Sequence, residues 1–269
     1  MLYPADRHPI VQVSRPADVR LAAIGDLHLR DREPNAVPAL LDGLAGRADL
    51  LVVAGDITEN GRVAEASLAA QILGGVGLPV VAVLGNHDLR GLRRRAFREA
   101  LESEGVRLLD GDAVVIELGG GRRIGVAGVA GSGGGFWREE HAVAPYGRAF
   151  KAVAIKVRRE AERLDAALRD LDAPLTVVVT HFAPTVTTLG AEPVAKWWML
   201  GNAELGRVID NHRVDLVVHG HAHLGISLGH TAGGTPVHNA ALPVNGGVVV
   251  IGLGSKMDVG QPADRGSGA

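Results

Sequence analysis

Short aliphatic, β-branched runs alternate with helix-patterned stretches through the first third of the chain, predicting strands at 19–24, 50–54 and 80–84 with helices at 37–44 and 63–73 between them. That order is βαβαβ. Right-handed crossovers then make the three strands parallel, so the residues following each strand fall along one edge, where open α/β sheets bind their ligands. Asp26 and His28 follow the first strand, Asp56 follows Gly55 after the second, and Gly85, Asn86, His87 and Asp88 follow the third. Three polar clusters from separate segments therefore meet at one place.

Beyond them the pattern predicts a basic helix at 92–103, a hairpin of 113–118 and 123–127 turning at the glycines 119–121, and a helix at 147–171. In that helix Val153, Val157, Ala161, Leu164 and Leu168 recur at three- and four-residue spacing. A strand at 175–180 leads to His181, and one at 214–218 leads to His219, Gly220, His221, Ala222 and His223. Segments 226–228, 236–239 and 248–251 read as closing antiparallel strands. No linker or repeat interrupts this order. The expectation is an α/β domain over 1–254, built of two sheets face to face with helices outside, and a disordered tail at 255–269 rich in Gly, Ser, Asp and Pro.

Asp26, His28, Asp56, Asn86, His181, His221 and His223 are oxygen and nitrogen donors, and the chain has 11 His but no Cys. Thiolate zinc sites, iron–sulfur clusters, disulfides and a cysteine nucleophile are excluded together. Carboxylate, imidazole and amide oxygen suit Mn, Fe or Zn. Seven donors exceed one tetrahedral site and fit two ions about 3.5–4 Å apart that share a carboxylate. Taken singly, each residue has a plainer role: an Asp caps a helix, a His is a satisfied polar group, Asn86 sits in a turn. Five strand-end segments presenting such donors together are not explained that way.

Gly25-Asp26-Leu27-His28, Gly55-Asp56, Gly85-Asn86-His87-Asp88, Thr180-His181 and Gly220-His221-Ala222-His223 resemble, in order and spacing, the five signature blocks of the calcineurin-like metallophosphoesterases. The blocks span about 200 residues. The resemblance implies a four-layer α/β/β/α sandwich of two mixed sheets flanked by helices, with a binuclear metal centre at the strand ends. It implies that Asp26, His28 and His223 hold one ion, that Asn86, His181 and His221 hold the other, and that Asp56 bridges. Glu59 stands where many relatives have a second Asp, at a position that is not normally a ligand. His219, alternating in its strand, is expected to be buried or to support a ligand.

The implied activity is hydrolysis of a phosphomonoester or phosphodiester by a hydroxide bridging two transition-metal ions (Mn, Fe or Zn). Two such ions, two carboxylates and a hydroxide leave a charge of about +1, which attracts a phosphate oxyanion. His87, unligated in the family pattern, is expected to stabilise or protonate the leaving oxygen, with Asp88 orienting its ring. Arg90, Arg93, Arg94, Arg95 and Arg98 either reach a phosphate or form a solvated helix face, and of these Arg90 is nearest the site. Phe136 and Trp137 in the loop 131–148, and Trp197 and Trp198 in the loop 185–200, either rim the pocket and stack on a nucleotide-like substrate or anchor their loops. A net charge of -2 argues against long nucleic acid. The N-terminal stretch is broken by Asp6, Arg7 and Pro9, and no apolar run approaches the roughly 20 residues of a membrane span. A cytoplasmic protein acting on a small phosphoester is the expectation. A nuclease, or a non-catalytic metal-binding scaffold on the same fold, is the alternative.

Overall fold

The computed structural model describes residues 19–32, 36–136 and 148–254. The segment 255–269, expected as a tail, and Trp137 lie outside the described residues. The first strands and helices follow the βαβαβ order: β1 Val19–Ile24, α1 Val37–Leu41, β2 Leu50–Ala54, α2 Val63–Gly74 and β3 Val80–Val83. Helix α3 Arg94–Glu102 and strand β4 Arg107–Leu109 follow. Next come the hairpin β5 Asp112–Leu118 and β6 Arg122–Val129, the long helix α4 Arg148–Asp170, and β7 Thr176–Thr180. The C-terminal third holds α5 Trp197–Leu200, α6 Ala203–Asp210, β8 Leu216–His219, β9 Leu228–His230, β10 Pro236–Asn239, α7 Leu242–Asn245 and β11 Val249–Leu253.

Two mixed sheets result, in orders β11-β1-β2-β3-β4 and β5-β6-β7-β8-β10-β9. Strands β1 to β4 are parallel and β11 closes that sheet antiparallel to β1. In the other sheet β6, β7, β8 and β10 are parallel, with β5 and β9 antiparallel at its edges. One expectation is therefore corrected: 236–239 runs parallel to β8, not antiparallel. Only β9, which turns back beside it, and β11 in the first sheet close antiparallel.

Strand alternation sorts the core into three layers. Leu21, Ala23, Leu50, Val52, Val81, Val126, Val177 and Val218 lie between the sheets. Their neighbours Ile24, Leu51, Val53 and Ala82 turn outward against α1, α2 and α3, and residues such as Ala127, Val178 and Val217 meet α4 and α6. Four layers, α/β/β/α, follow from this two-residue alternation. The alternation also leaves the ends of β1, β2, β3, β7 and β8 together.

Candidate metal centre

At those ends the backbone is bent into conformations that side chains normally avoid. Among the described residues four non-glycines have positive φ: Asp26 (59°), His28 (47°), Asp56 (48°) and His221 (69°). All four belong to the expected donor set. A left-handed residue costs about 1–2 kcal/mol, so this strain is held by surrounding bonds. Asp26 N–H donates to the Gly55 carbonyl and His28 N–H to that of Asp56, each at 3.0 Å, lacing the β1 and β2 loops together. Glycine also makes a close crossing possible: a Cβ on Gly85 would stand 2.1 Å from Asp56 Oδ1.

Beside a third group of His28, Glu59 and His87, the expected donors gather in two groups, within each of which the ligand atoms lie within 4.8 Å of one another: Asp26, His28 and His223, and Asp56, His181 and His221. Asp56 faces both, with Oδ1 3.4 Å from His181 Nε2 and Oδ2 3.8 Å from His28 Nε2. Asn86 Oδ1 joins the second group, 3.0 Å from His181 Nε2. His223 Nε2 lies 2.9 Å from Asp26 Oδ1, whose carboxylate also accepts the His221 backbone N–H.

Burial pushes the His221 imidazole down to about 3, helped by the charge of His181, and also lowers His28. Both rings therefore keep an unprotonated nitrogen at neutral pH. The Asp26 hydrogen bond raises His223. Burial alone would raise Asp26, but the hydrogen bond from His223 and the charges of His181 and His223 outweigh it and hold the group ionised. Both ring nitrogens of His28 are buried without a hydrogen-bond partner, although Glu59 Oε2 approaches Nδ1 to 3.3 Å. A buried imidazole without partners is costly unless something else engages it, and a cation among carboxylates does so. The donors fit divalent metal.

The catalytic pair expected from sequence is not a pair. Asp88 is buried, and its carboxylate accepts the N–H groups of Ile57, Thr58 and Gly85 and the Thr58 hydroxyl, at 2.8–3.1 Å. It ties the β2 and β3 loops together, and burial raises it to about 6 against those bonds. The His87 ring turns elsewhere: Nδ1 lies 3.0 Å from the Glu59 carbonyl and 3.3 Å from Glu59 Oε1. Arg90 Nη2 donates to His87 Nε2 at 2.8 Å, which leaves Nδ1 as the protonated nitrogen.

Glu59 is the residue the motifs passed over. Its carboxylate faces His28 and His87 at 3.3 Å each, and Arg30 and Arg90 at 3.7 and 3.5 Å. Its position three residues after Asp56 was the available signal.

His219 is fully buried, its Nδ1 donating to the Gly220 carbonyl at 2.7 Å and its Nε2 accepting the Thr188 hydroxyl at 2.8 Å. It braces the loop between β8 and His221. Phe136 is a plug, packed with Ala183, Leu189, Leu200 and Ala222. Trp197 anchors its own loop by donating to the Glu192 carbonyl at 3.0 Å, and Trp198 is half-buried beside it. The segment still reaches the site, since the Met199 carbonyl is 3.3 Å from His221 Nε2. Arg95 and Arg98 pair with Glu99 and Glu102 along α3, which is the solvated-face arrangement. No described helix is long and apolar enough to cross a membrane.

A profile of the calcineurin-like phosphoesterases matches residues 19–225. Over 80 aligned residues the chain is 39% identical to the glycerophosphodiester phosphodiesterase GpdQ of Enterobacter lignolyticus (strain SCF1), a match covering 25% of this chain and only 29% of that relative. Among solved structures, one 18% identical covers 82% of this chain and 89% of its own, with a TM-score of 0.54. The Thermus thermophilus sulfate thiohydrolase SoxB, in complex with glycerol, is 15% identical with a TM-score of 0.51, over 91% of this chain and 58% of its own. These structural likenesses concern the fold.

Proposed function

We propose that this chain, a member of the calcineurin-like phosphoesterase family and hence a metal-dependent hydrolase of phosphoesters, uses a binuclear centre and acts on small phosphodiesters. The observation that carries the binuclear reading is Asp56: one carboxylate faces two donor groups through its two oxygens. Asp26, His28 and His223 would hold one ion, and Asn86, His181 and His221 the other. Two bound ions of the Mn, Fe or Zn type supply Lewis acidity toward the phosphoryl oxygens and a water acidic enough to attack near neutral pH.

The chain's own residues do the rest. Asp26 and Asp56 lower the charge of the centre so that it suits one phosphodiester anion. His87 points Nε2 toward Asp56 Oδ2, 3.9 Å away; with Nδ1 held by Glu59, Nε2 would take up a proton as Arg90 turns to the substrate and so become a cationic donor to the leaving oxygen. Glu59 fixes that ring from behind, the role Asp88 was expected to play. Arg90, already on His87, is placed to exchange it for a substrate oxygen. The segment of Trp197 and Trp198 meets the site through the Met199 carbonyl beside His221. The diester preference is supported by the partial relative named for glycerophosphodiesters, and nucleotide-like diesters remain inside the same chemistry.

The test is apo protein reconstituted with Mn, Fe or Zn and screened against bis(p-nitrophenyl) phosphate, p-nitrophenyl phosphate, glycerophosphodiesters, cyclic nucleotides and short nucleic acids. Two metal equivalents and faster diester than monoester turnover are expected. One equivalent at full activity would refute the binuclear reading, and no hydrolysis with any metal would favour a scaffold.

A further inference from the structure

A cavity of about 340 Å³ adjoins the catalytic loop where α4 passes the ends of β3, β4 and β6. Its apolar wall is Leu84, Leu89, Leu109 and Ala130, joined by Ile155 of α4, which is 45% exposed. Leu84 and Leu89 bracket the turn 85–88 that bears Asn86 and His87. The Ala130 carbonyl accepts the His181 N–H at 2.9 Å. The cavity is therefore built on the same two segments that position one half of the donor set.

Its polar lining is mostly cationic. Arg94, Lys156, Arg159 and Arg163 face it, against Asp110 and Glu160. Both carboxylates are already engaged: Asp110 with Arg163 at 3.4 Å, Glu160 with Lys156 at 3.6 Å and with the Ser132 hydroxyl at 2.7 Å. The side chains of Arg94 and Arg159 have no hydrogen-bond or ion-pair partner among the described residues. Two guanidinium groups without counter-charge over an apolar floor match an anion that carries an apolar body. At the small end of the roughly 300–1,000 Å³ range of ligand pockets, the cavity suits a small molecule and not a peptide segment.

We propose that this cavity binds a small amphiphilic organic anion, a carboxylate or phosphate on a short aliphatic or aromatic body, and that its occupancy is transmitted to the turn 85–88 through Leu84 and Leu89. The site is separate from the proposed metal centre and does not depend on its chemistry.

Fluorescence titration with 8-anilinonaphthalene-1-sulfonate, displaced by octanoate, octyl phosphate or neutral 1-octanol, tests it on the full chain. Saturable binding is expected, with displacement by either anion but not by the alcohol. The order of octanoate and octyl phosphate then identifies the preferred head group. The Arg94→Gln/Arg159→Gln double variant should weaken binding at least tenfold, and Ile155→Glu should abolish it. Leu228→Glu, which removes an exposed leucine elsewhere on the surface, should leave it unchanged. Identical titrations of wild type and the arginine variant would overturn the site, as would loss in Leu228→Glu alone. Amide hydrogen exchange read with and without octanoate should slow at 85–88, and unchanged exchange there at saturation would overturn the transmission.

Discussion

Gly85→Ala adds one methyl group at the crossing between the β3 turn and the proposed bridging carboxylate. The new Cβ would stand 2.1 Å from Asp56 Oδ1 and 2.3 Å from Asp56 N, where ordinary contact begins at 3.4 Å. Something must move by about 1.3 Å to reach ordinary contact. The second contact is backbone, so a side-chain rotation does not relieve it. Asp56 also accepts the His87 N–H at 2.8 Å, and the displacement therefore reaches the carboxylate and the turn bearing Asn86 and His87 at once. Overpacking of this kind costs about 1–3 kcal/mol of stability, and a misplacement near 1 Å in a catalytic constellation costs about 100-fold in rate. The assays are thermal unfolding, metal content after reconstitution, and turnover of bis(p-nitrophenyl) phosphate. A folded variant with less than two equivalents of metal and about a hundredfold slower turnover is expected. Gly119→Ala, whose Cβ would meet nothing within 4 Å, is the control. Two equivalents and turnover within twofold of wild type in Gly85→Ala would refute the assignment of Asp56 as the shared ligand.

His87→Ala should retain its metal and lose about 100- to 1,000-fold in turnover, with a smaller loss on aryl esters whose leaving group needs no proton; metal analysis and paired substrates check it. Glu59→Gln, which keeps the shape but removes the charge facing His28 and His87, should lower kcat about tenfold, whereas Asp88→Asn should mainly lower the melting temperature. Asp49 lies between Arg20 and Arg122, whose hydrogen bonds hold it down to about 2 despite partial burial. Its folded value is below the unfolded one, so its contribution is present above about pH 4 and lost as pH falls toward 2; Asp49→Asn should remove about 1 kcal/mol at pH 7 and flatten that limb of a denaturation series. His238, buried with Nδ1 unpartnered, is pushed down to about 4 by burial. His219 and His221, held at about 4 and about 3, lose stability over the same range, so His238 contributes only a share, about 2 kcal/mol between pH 7.5 and pH 5, and His238→Leu should shrink the fall by that amount without abolishing it in urea titrations at the two pH values.

Strands were legible where short aliphatic runs stand between polar or glycine-bearing segments: 19–24 and 50–54 coincide with β1 and β2. Strand β4 was not, because three residues opening on Arg107 carry too short a pattern. Helix α6 was missed for the same reason, its eight residues being started by the Asn202 cap on Leu205 N–H and held by buried Leu205, Val208 and Ile209. The direction of β10 depends on the path through 220–235, which no local propensity encodes. Sequence neighbours also misled: Asp88 follows His87, yet in a helical turn of 88–90 adjacent side chains diverge, and the Asp88 carboxylate is taken by the backbone N–H groups of Ile57 and Thr58 after β2 and of Gly85 in its own turn. Glu59 reaches the His87 ring from 28 residues away.

The donor positions themselves were readable because strand ends and glycines mark them, but how they are coupled was not. The Asp26 carboxylate accepts the His221 N–H and faces the His223 ring, and the Asp56 carboxylate accepts the His87 N–H. Each aspartate is thus at once a prospective ligand and the fastener for the next donor loop, while standing in a left-handed conformation that its surroundings hold. Removing either one would release a neighbouring segment as well as a ligand. The seven donors therefore cannot behave as seven independent contributions to metal affinity. Double variants pairing Asp26 with His221 or Asp56 with Asn86 should lose less than the sum of their single losses, because the first substitution has already loosened the second residue.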